Sequence, residues 1–89
     1  MFKALISPNR FISLSLSEKV NVLYKQGSFI VSIRYYGYKI NLFLLNDYYV
    51  EVFHNHKLDK IEKIDLMNLS NKRIKFYTDQ IKFSEELFS

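Results

Sequence analysis

The sequence predicts a two-layer α+β domain in which a helix, a four-stranded antiparallel β-meander and a second helix follow one another. Three observations support this fold class. A capped amphipathic segment precedes residue 27, apolar residues alternate in four short segments between residues 28 and 66, and a helical pattern returns after residue 70. With 89 residues, the chain has room for one domain. We therefore expect residues 1–89 to form a single small domain.

Composition excludes several classes of protein. The chain has no cysteine, so disulfides, thiolate nucleophiles and cysteine-based zinc sites are impossible. No apolar run approaches the roughly 20 residues that cross a bilayer, and the start of the chain is a poor match to a signal peptide. We therefore expect a cytoplasmic protein with no membrane contact. The net charge of +4 at pH 7 permits a nucleic-acid partner.

The first part of the chain contains one predicted helix. Residues 1–13 are expected to form an irregular lead or an edge strand, and the helix runs over 15–26. Ser15 and Glu18 fit a capping box at its start, while Gly27 fits a left-handed cap at its end. The apolar stripe that we expect to face the core consists of Leu16, Val20, Leu23 and Tyr24.

Four strands are predicted within residues 28–66. Their approximate bounds are 28–35, 38–45, 48–55 and 60–66. A two-residue turn at Tyr36-Gly37 joins the first two strands, with glycine supplying a positive φ. The pairs expected on one face of this hairpin are Tyr35–Tyr38, Ile33–Ile40, Val31–Leu42 and Phe29–Leu44.

The second hairpin allows two registers. A two-residue turn at Asn46-Asp47 would place Glu51 on the core face beside Leu42. A three-residue loop instead aligns Leu42 with Val50 and moves Glu51 to the other face, because a slip of one residue reverses every side chain. We expect the three-residue loop, with Asp47 in the left-handed conformation.

In that register the other face of the sheet mixes apolar and charged side chains. The residues that we expect to form an interaction face there are Ile30, Arg34, Tyr36, Lys39, Phe43, Tyr49, Glu51, Phe53 and Ile61. Three interpretations are open. The face is a second core covered by the C-terminal helix, a homodimer or protein interface, or a platform on which single-stranded nucleic acid stacks.

The last part of the chain, residues 70–88, is predicted to be helical. Ser70 is the expected cap of a helix from about 71 to 82, and the sequence does not determine which face of the sheet this helix covers. Its predicted inner stripe consists of Ile74, Tyr77 and Ile81.

No motif for catalysis or cofactor binding is found. His54 and His56 have only Asp59 as a nearby third ligand, so we predict no metal site. The chain has no glycine-rich phosphate loop and no nucleophile elbow. A small ribonuclease can work with Lys, Arg, Tyr, Glu and His. The residues that could supply these types are Arg34, Lys39, Tyr49, Glu51 and His54. The predicted register puts His54 on the face opposite to the other four.

We therefore predict an intracellular interaction module, without cofactor, metal or catalytic residues, that self-associates as a homodimer or binds a protein partner. In this prediction Ile30, Phe43, Tyr49, Phe53 and Ile61 supply the contacts. Arg34 and Glu51 set the specificity. The alternative is binding of single-stranded RNA, with a toxin-type ribonuclease as its enzymatic form.

Overall fold

The computed structural model describes residues 6–68 and 73–78. Helices α1 (Pro8–Ile12) and α2 (Leu16–Gln26) precede strands β1 (Ser28–Tyr35), β2 (Tyr38–Leu45), β3 (Tyr48–Asn55) and β4 (Lys60–Leu66). A helical turn follows at 74–78. The four strands form one antiparallel sheet in the order β1-β2-β3-β4. The predicted α+β fold, a four-stranded meander between helices, is confirmed.

Helix α1 lies where an irregular lead was predicted. Ser7 caps it by accepting a hydrogen bond from the Arg10 amide at 3.3 Å, and Pro8 occupies the first turn, where its missing N–H is not needed. Helix α2 begins with the predicted capping box. The Glu18 amide donates to the Ser15 hydroxyl at 3.2 Å, and the Ser15 amide donates to the Glu18 carboxylate at 2.9 Å. These bonds lower the pKa of Glu18.

Helix α2 packs on a narrower arc than predicted. Leu23 is buried as expected, but Leu16, Val20 and Tyr24 are exposed. Val22 packs against the core in their place. The apolar arc of the helix is wider than the surface that it covers, so the outer part of the predicted stripe faces away from the sheet.

Gly27 ends α2 in an extended conformation, with φ −82° and ψ 153°, and not in the predicted left-handed one. Glycine is still required at this position. A Cβ atom would lie 2.8 Å from the Leu23 carbonyl oxygen. The close approach of the backbone therefore selects glycine here.

The first hairpin follows the predicted register near its turn. The confirmed pairs are Tyr35–Tyr38, Ile33–Ile40 and Val31–Leu42. A β-bulge between Phe29 and Val31 then shifts the pairing, so Phe29 lies opposite Phe43 and not opposite Leu44. Ile30 is the extra residue of this bulge.

The second hairpin contradicts the predicted register. Asn46 and Asp47 form a two-residue turn, and Leu42 lies opposite Glu51. The left-handed residue is Asn46, with φ 58°, and not Asp47. Asparagine accepts this conformation at low cost. The side-chain Nδ2 of Asn46 also donates to the Ile6 carbonyl at 3.1 Å. Every β3 side chain therefore points to the face opposite to the predicted one.

Each face of the sheet carries its own core. The N-terminal face, covered by α1 and α2, contains Phe11, Leu23, Leu45, Val50, Val52 and Ile64. The C-terminal face, covered by the helical turn at 74–78, contains Ile33, Ile40, Leu42, Phe53 and Tyr77. The helical layer predicted for one face is present, and residues 74–78 add helical cover to the other.

The predicted C-terminal helix is described only in part. Of residues 70–88, the structure describes 73–78, of which 74–78 are helical, and the others lie outside the described residues. Within the described parts of the chain, no helix is both long enough and apolar enough to cross a membrane.

Candidate binding site at the first hairpin

The C-terminal face has a carboxylate at its centre, that of Glu51, which is 0% exposed. Arg73 donates to both of its oxygens, through Nε and Nη2, at 2.8 Å each. The Tyr77 hydroxyl donates a third bond at 2.7 Å. Burial and this bond to Glu51 raise the pKa of Tyr77, so its hydroxyl remains a donor. The three bonds balance the charge of Glu51 and make its burial tolerable.

These partners explain why the predicted register was wrong. The three-residue loop was predicted because it buries Val50 and Val52 on the core face and keeps Glu51 off that face. In the structure the two valines are buried on the N-terminal face instead. Arg73 lies 22 residues after Glu51 in the chain, and neither it nor Tyr77 was considered as a partner. A signal was present, since Arg73 and Tyr77 are one helical turn apart and their side chains share a side of the helix.

Phe76 extends this network to the first hairpin. Its ring meets the Tyr35 ring edge to face, with the centroids 5.5 Å apart, and Tyr35 meets Tyr36 in the same way at 4.6 Å. The Arg73 guanidinium lies 5.5 Å from the centre of the Tyr35 ring. We call Tyr35, Tyr36 and Phe76 the ring cluster. The buried carboxylate of Glu51 is therefore connected to the ring cluster through Arg73.

A cleft of about 740 Å³ opens beside the ring cluster. The residues that line it include four aromatic ones, Tyr35, Tyr36, Tyr38 and Phe76, and two basic ones, Arg34 and Lys39. No carboxylate occurs among the described residues that line it. Arg34 and Tyr35 point to opposite faces of the sheet, and both residues contribute to the lining. The cleft therefore offers aromatic and positively charged groups together.

Arg34 and Lys39, which we call the cation pair, lie directly opposite each other on β1 and β2. Both are exposed, and neither forms an ion pair with any residue in 6–68 or 73–78. Like charges in this arrangement repel and destabilise the strand pairing. An anion bound between or beside them would remove that repulsion.

Tyr36 adopts the left-handed conformation at the tip of the hairpin, with φ 47°, and Gly37 follows with φ 83°. For a residue with a side chain this conformation costs about 1–2 kcal/mol. The Tyr36 side chain gains little burial in return, because the residue is 86% exposed. Asn or Gly would form the same turn more easily. A strained and exposed aromatic residue of this kind is typical of a contact residue.

The nine residues predicted to form one interaction face are divided by the corrected register. Those on the N-terminal face are Arg34, Lys39, Phe43 and Ile61, of which Phe43 and Ile61 pack against the core. Those on the C-terminal face are Tyr49, Glu51 and Phe53, of which Glu51 and Phe53 are buried. Ile30 lies in the bulge and Tyr36 in the turn. The cleft brings together Arg34, Tyr36 and Lys39, and it adds Phe76, which was not predicted.

The corrected register also moves His54 to the N-terminal face. His54 pairs with Lys39 and shares the N-terminal face with the cation pair, whereas Glu51 is buried on the other face. His54 Nε2 lies 3.1 Å from Asp59. The residues that could serve a ribonuclease are therefore divided between the two faces, though not as predicted. The N-terminal face carries Arg34, Lys39 and His54, and the C-terminal face carries Tyr49 and Glu51. Within the described residues, no group of three or more possible metal ligands occurs.

Comparison with known proteins does not assign a family. A scan of protein-family models, a search of curated proteins and a search of solved structures each found no match to this chain. The functional proposal therefore depends on the geometry of the hairpin alone.

Proposed function

We propose that the chain binds single-stranded nucleic acid in the cleft at the first hairpin. The observation that carries this proposal is a cleft that combines the exposed rings of Tyr36 and Phe76 with the cation pair. Within residues 6–68 and 73–78, the cation pair has no ion-pair partner and no carboxylate lines the cleft. Aromatic rings stack on bases of any sequence, and neighbouring cations hold the phosphates between those bases. In the predicted register Glu51 would have repelled phosphate, but its carboxylate is buried on the other face against Arg73.

The two kinds of side chain have separable roles in this proposal. Arg34 and Lys39 contact phosphates, so their contribution depends on salt through the release of counterions. Tyr36 and Phe76 stack on bases, which contributes about 1–3 kcal/mol for each base and depends little on salt. The two contributions can therefore be measured independently.

The phosphate contacts are tested by fluorescence anisotropy with a labelled RNA ten-mer of mixed sequence over a series of salt concentrations. The logarithm of the affinity should fall linearly with the logarithm of salt, by about 0.7 for each phosphate contacted on a single strand. Arg34→Ala and Lys39→Ala should each flatten the slope by about that amount. Lys25→Ala is the matched control, since Lys25 is exposed on α2, outside the cleft. An equal effect of Lys25→Ala would indicate unlocalised attraction and contradict the proposed site.

The stacking contacts are tested with a pair of tyrosines. Tyr36 in the cleft and Tyr24 on α2 are 86% and 89% exposed, so their substitution removes similar exposed rings. Tyr36→Ala should weaken binding by about 5- to 150-fold without changing the salt slope. Tyr24→Ala should leave the affinity unchanged. If neither RNA nor DNA oligonucleotides bind the wild type at low salt, the proposal is wrong.

A second candidate function is the predicted self-association or protein contact. It is favoured by exposed apolar residues at the other end of the sheet, where Phe29 and Ile30 lie on edge strand β1 and Tyr49 lies on β3. An exposed edge with apolar side chains is a surface to which another chain can add. Light scattering on a sizing column measures the molar mass. If the chain is a dimer, Phe29→Glu should produce monomers. Leu58→Glu, in an exposed turn, is the control and should leave the dimer intact. A wild-type chain that is monomeric at all concentrations contradicts self-association.

A further inference from the structure

The wall of the cleft that Phe76 forms depends on a residue that does not reach the cleft. We propose that Glu51 is a positioning residue for the nucleic-acid site and acts through Arg73 and Tyr77 to hold the Phe76 ring in place. This inference rests on the proposed function of the cleft. In this proposal the bound strand does not contact the buried Glu51 carboxylate. The carboxylate nevertheless controls the part of the affinity that comes from stacking.

The helical turn at 74–78 needs such an anchor. Even a helix of about 12 residues is marginal in water by itself, so the position of this turn depends on contacts with the sheet. Arg73 holds its start through two parallel bonds of 2.8 Å to Glu51. Such a fork fixes orientation as well as distance. Tyr77, four residues after Arg73, is held in the same turn by its 2.7 Å bond to the same carboxylate. Both anchors of the turn therefore end on Glu51.

Phe76 lies between these anchors in the chain. Its ring contacts Tyr35 with centroids 5.5 Å apart, and it is the residue from this turn that lines the cleft. Arg73 itself is held between two rings, with its guanidinium 5.1 Å from the Phe53 centroid and 5.5 Å from that of Tyr35. A change at Glu51 therefore reaches the ring cluster through one short chain of contacts.

A positioning role for Glu51 and a purely electrostatic effect of its charge predict opposite changes in RNA affinity. Glu51→Gln removes a negative charge and raises the net charge from +4 to +5, which by long-range attraction alone would strengthen binding to a polyanion. Positioning predicts weaker binding, because the Phe76 ring is no longer held in the cleft. The sign of the change in affinity therefore separates the two.

The experiment is a double-mutant cycle that measures affinity for the labelled RNA ten-mer. In the wild-type background Glu51→Gln should weaken binding by up to the 5- to 150-fold expected for one lost stacking ring, with an unchanged salt slope. In the Phe76→Ala background Glu51→Gln should cause no further loss, since the ring that it positions is already absent. Glu18→Gln, an equal change of charge at an exposed position on α2, is the control and should not weaken binding.

Tyr77→Phe provides the test if Glu51→Gln does not fold. It keeps the charge and the ring and removes only the hydroxyl that donates to Glu51. A smaller loss of affinity is expected, again only while Phe76 is present. Equal losses in both backgrounds, or tighter binding by Glu51→Gln, would overturn this inference and leave the proposed function standing. Absence of binding by the wild type would overturn both.

Discussion

The first two hairpins of the sheet differ in how well their residues suit their positions. At the second hairpin Asn46 takes the left-handed conformation cheaply and bonds to Ile6. At the first hairpin Tyr36 takes that conformation at a cost, Arg34 faces Lys39, and a buried carboxylate anchors the adjacent helical turn. Proteins usually break local preferences where function requires it. The contrast therefore identifies the first hairpin as the region whose structure calls for a functional explanation.

The cores on the two faces of the sheet show a similar contrast. The fully buried side chains described on the N-terminal face are apolar, and apolar contacts are non-directional, so they favour burial more than one exact placement. The C-terminal face adds three hydrogen bonds to a single carboxylate. Those bonds accept only one placement of the helical turn, and the removal of one partner leaves a buried charge.

The largest predicted effect comes from breaking the ion pair on the C-terminal face. Arg73→Ala leaves the Glu51 carboxylate buried without its cation, and we expect a loss of about 3–5 kcal/mol in the free energy of unfolding. Urea denaturation followed by circular dichroism measures it. If the helical turn detaches and lets water reach Glu51, the loss will be smaller and exchange of the amides at 74–78 will be fast.

A combined substitution tests whether the ion pair contributes placement or stability. Glu51→Leu combined with Arg73→Leu replaces the pair by apolar side chains, and such replacements are often neutral or stabilising. Both are made together with Tyr77→Phe, because the buried Tyr77 hydroxyl would otherwise lose its acceptor. We expect a free energy of unfolding close to that of the wild type. A loss as large as that of Arg73→Ala would mean that the pair itself stabilises the fold.

On the N-terminal face the corresponding prediction is a cavity. Leu45 is completely buried, and Leu45→Ala should cost about 2–5 kcal/mol through lost burial and the space left behind. The same urea experiment applies. Leu58→Ala, in an exposed turn, is the control and should change stability by less than about 0.5 kcal/mol. If Leu45→Ala hardly changes the free energy of unfolding, this core is loosely packed.

The sequence could predict the region that follows local preferences. The capping box at Ser15, the turn at Gly37 and the alternation of β1 and β2 are all local patterns, and each was predicted from neighbouring residues. The register of β3 could not be obtained in this way. It depends on Arg73, whose contact with Glu51 is made only after the chain has returned to the sheet.

The candidate site was predictable in part for the same reason. Arg34, Tyr36 and Lys39 stand together in the chain, so their association at the hairpin was visible in the sequence. Phe76 is distant in the chain and joins them because the helical turn at 74–78 covers the C-terminal face. Without the register of β3, the sequence contained no basis for choosing that face.

A substitution at the hairpin tip should separate stability from binding. Tyr36→Asn places at the first hairpin the residue type that the second hairpin uses, and the fold should become more stable by about 1 kcal/mol, since the left-handed conformation suits asparagine better. Thermal unfolding measures the gain. RNA affinity should fall at the same time, because the exposed ring is gone. A loss of stability instead would mean that the Tyr36 ring contributes to packing through Tyr35.

The smallest effect concerns the cation pair. Lys39→Glu places a carboxylate opposite Arg34, and a cross-strand pair of opposite charges contributes about 0.2–1 kcal/mol where like charges destabilise. We expect a gain of this size in the free energy of unfolding at low salt, and much less of it at 1 M salt, where exposed charges are screened within about 3 Å. RNA binding should weaken strongly. Lys25→Glu on α2 makes the same change of charge away from the cleft, so a similar gain there would attribute the effect to net charge and not to the pairing with Arg34.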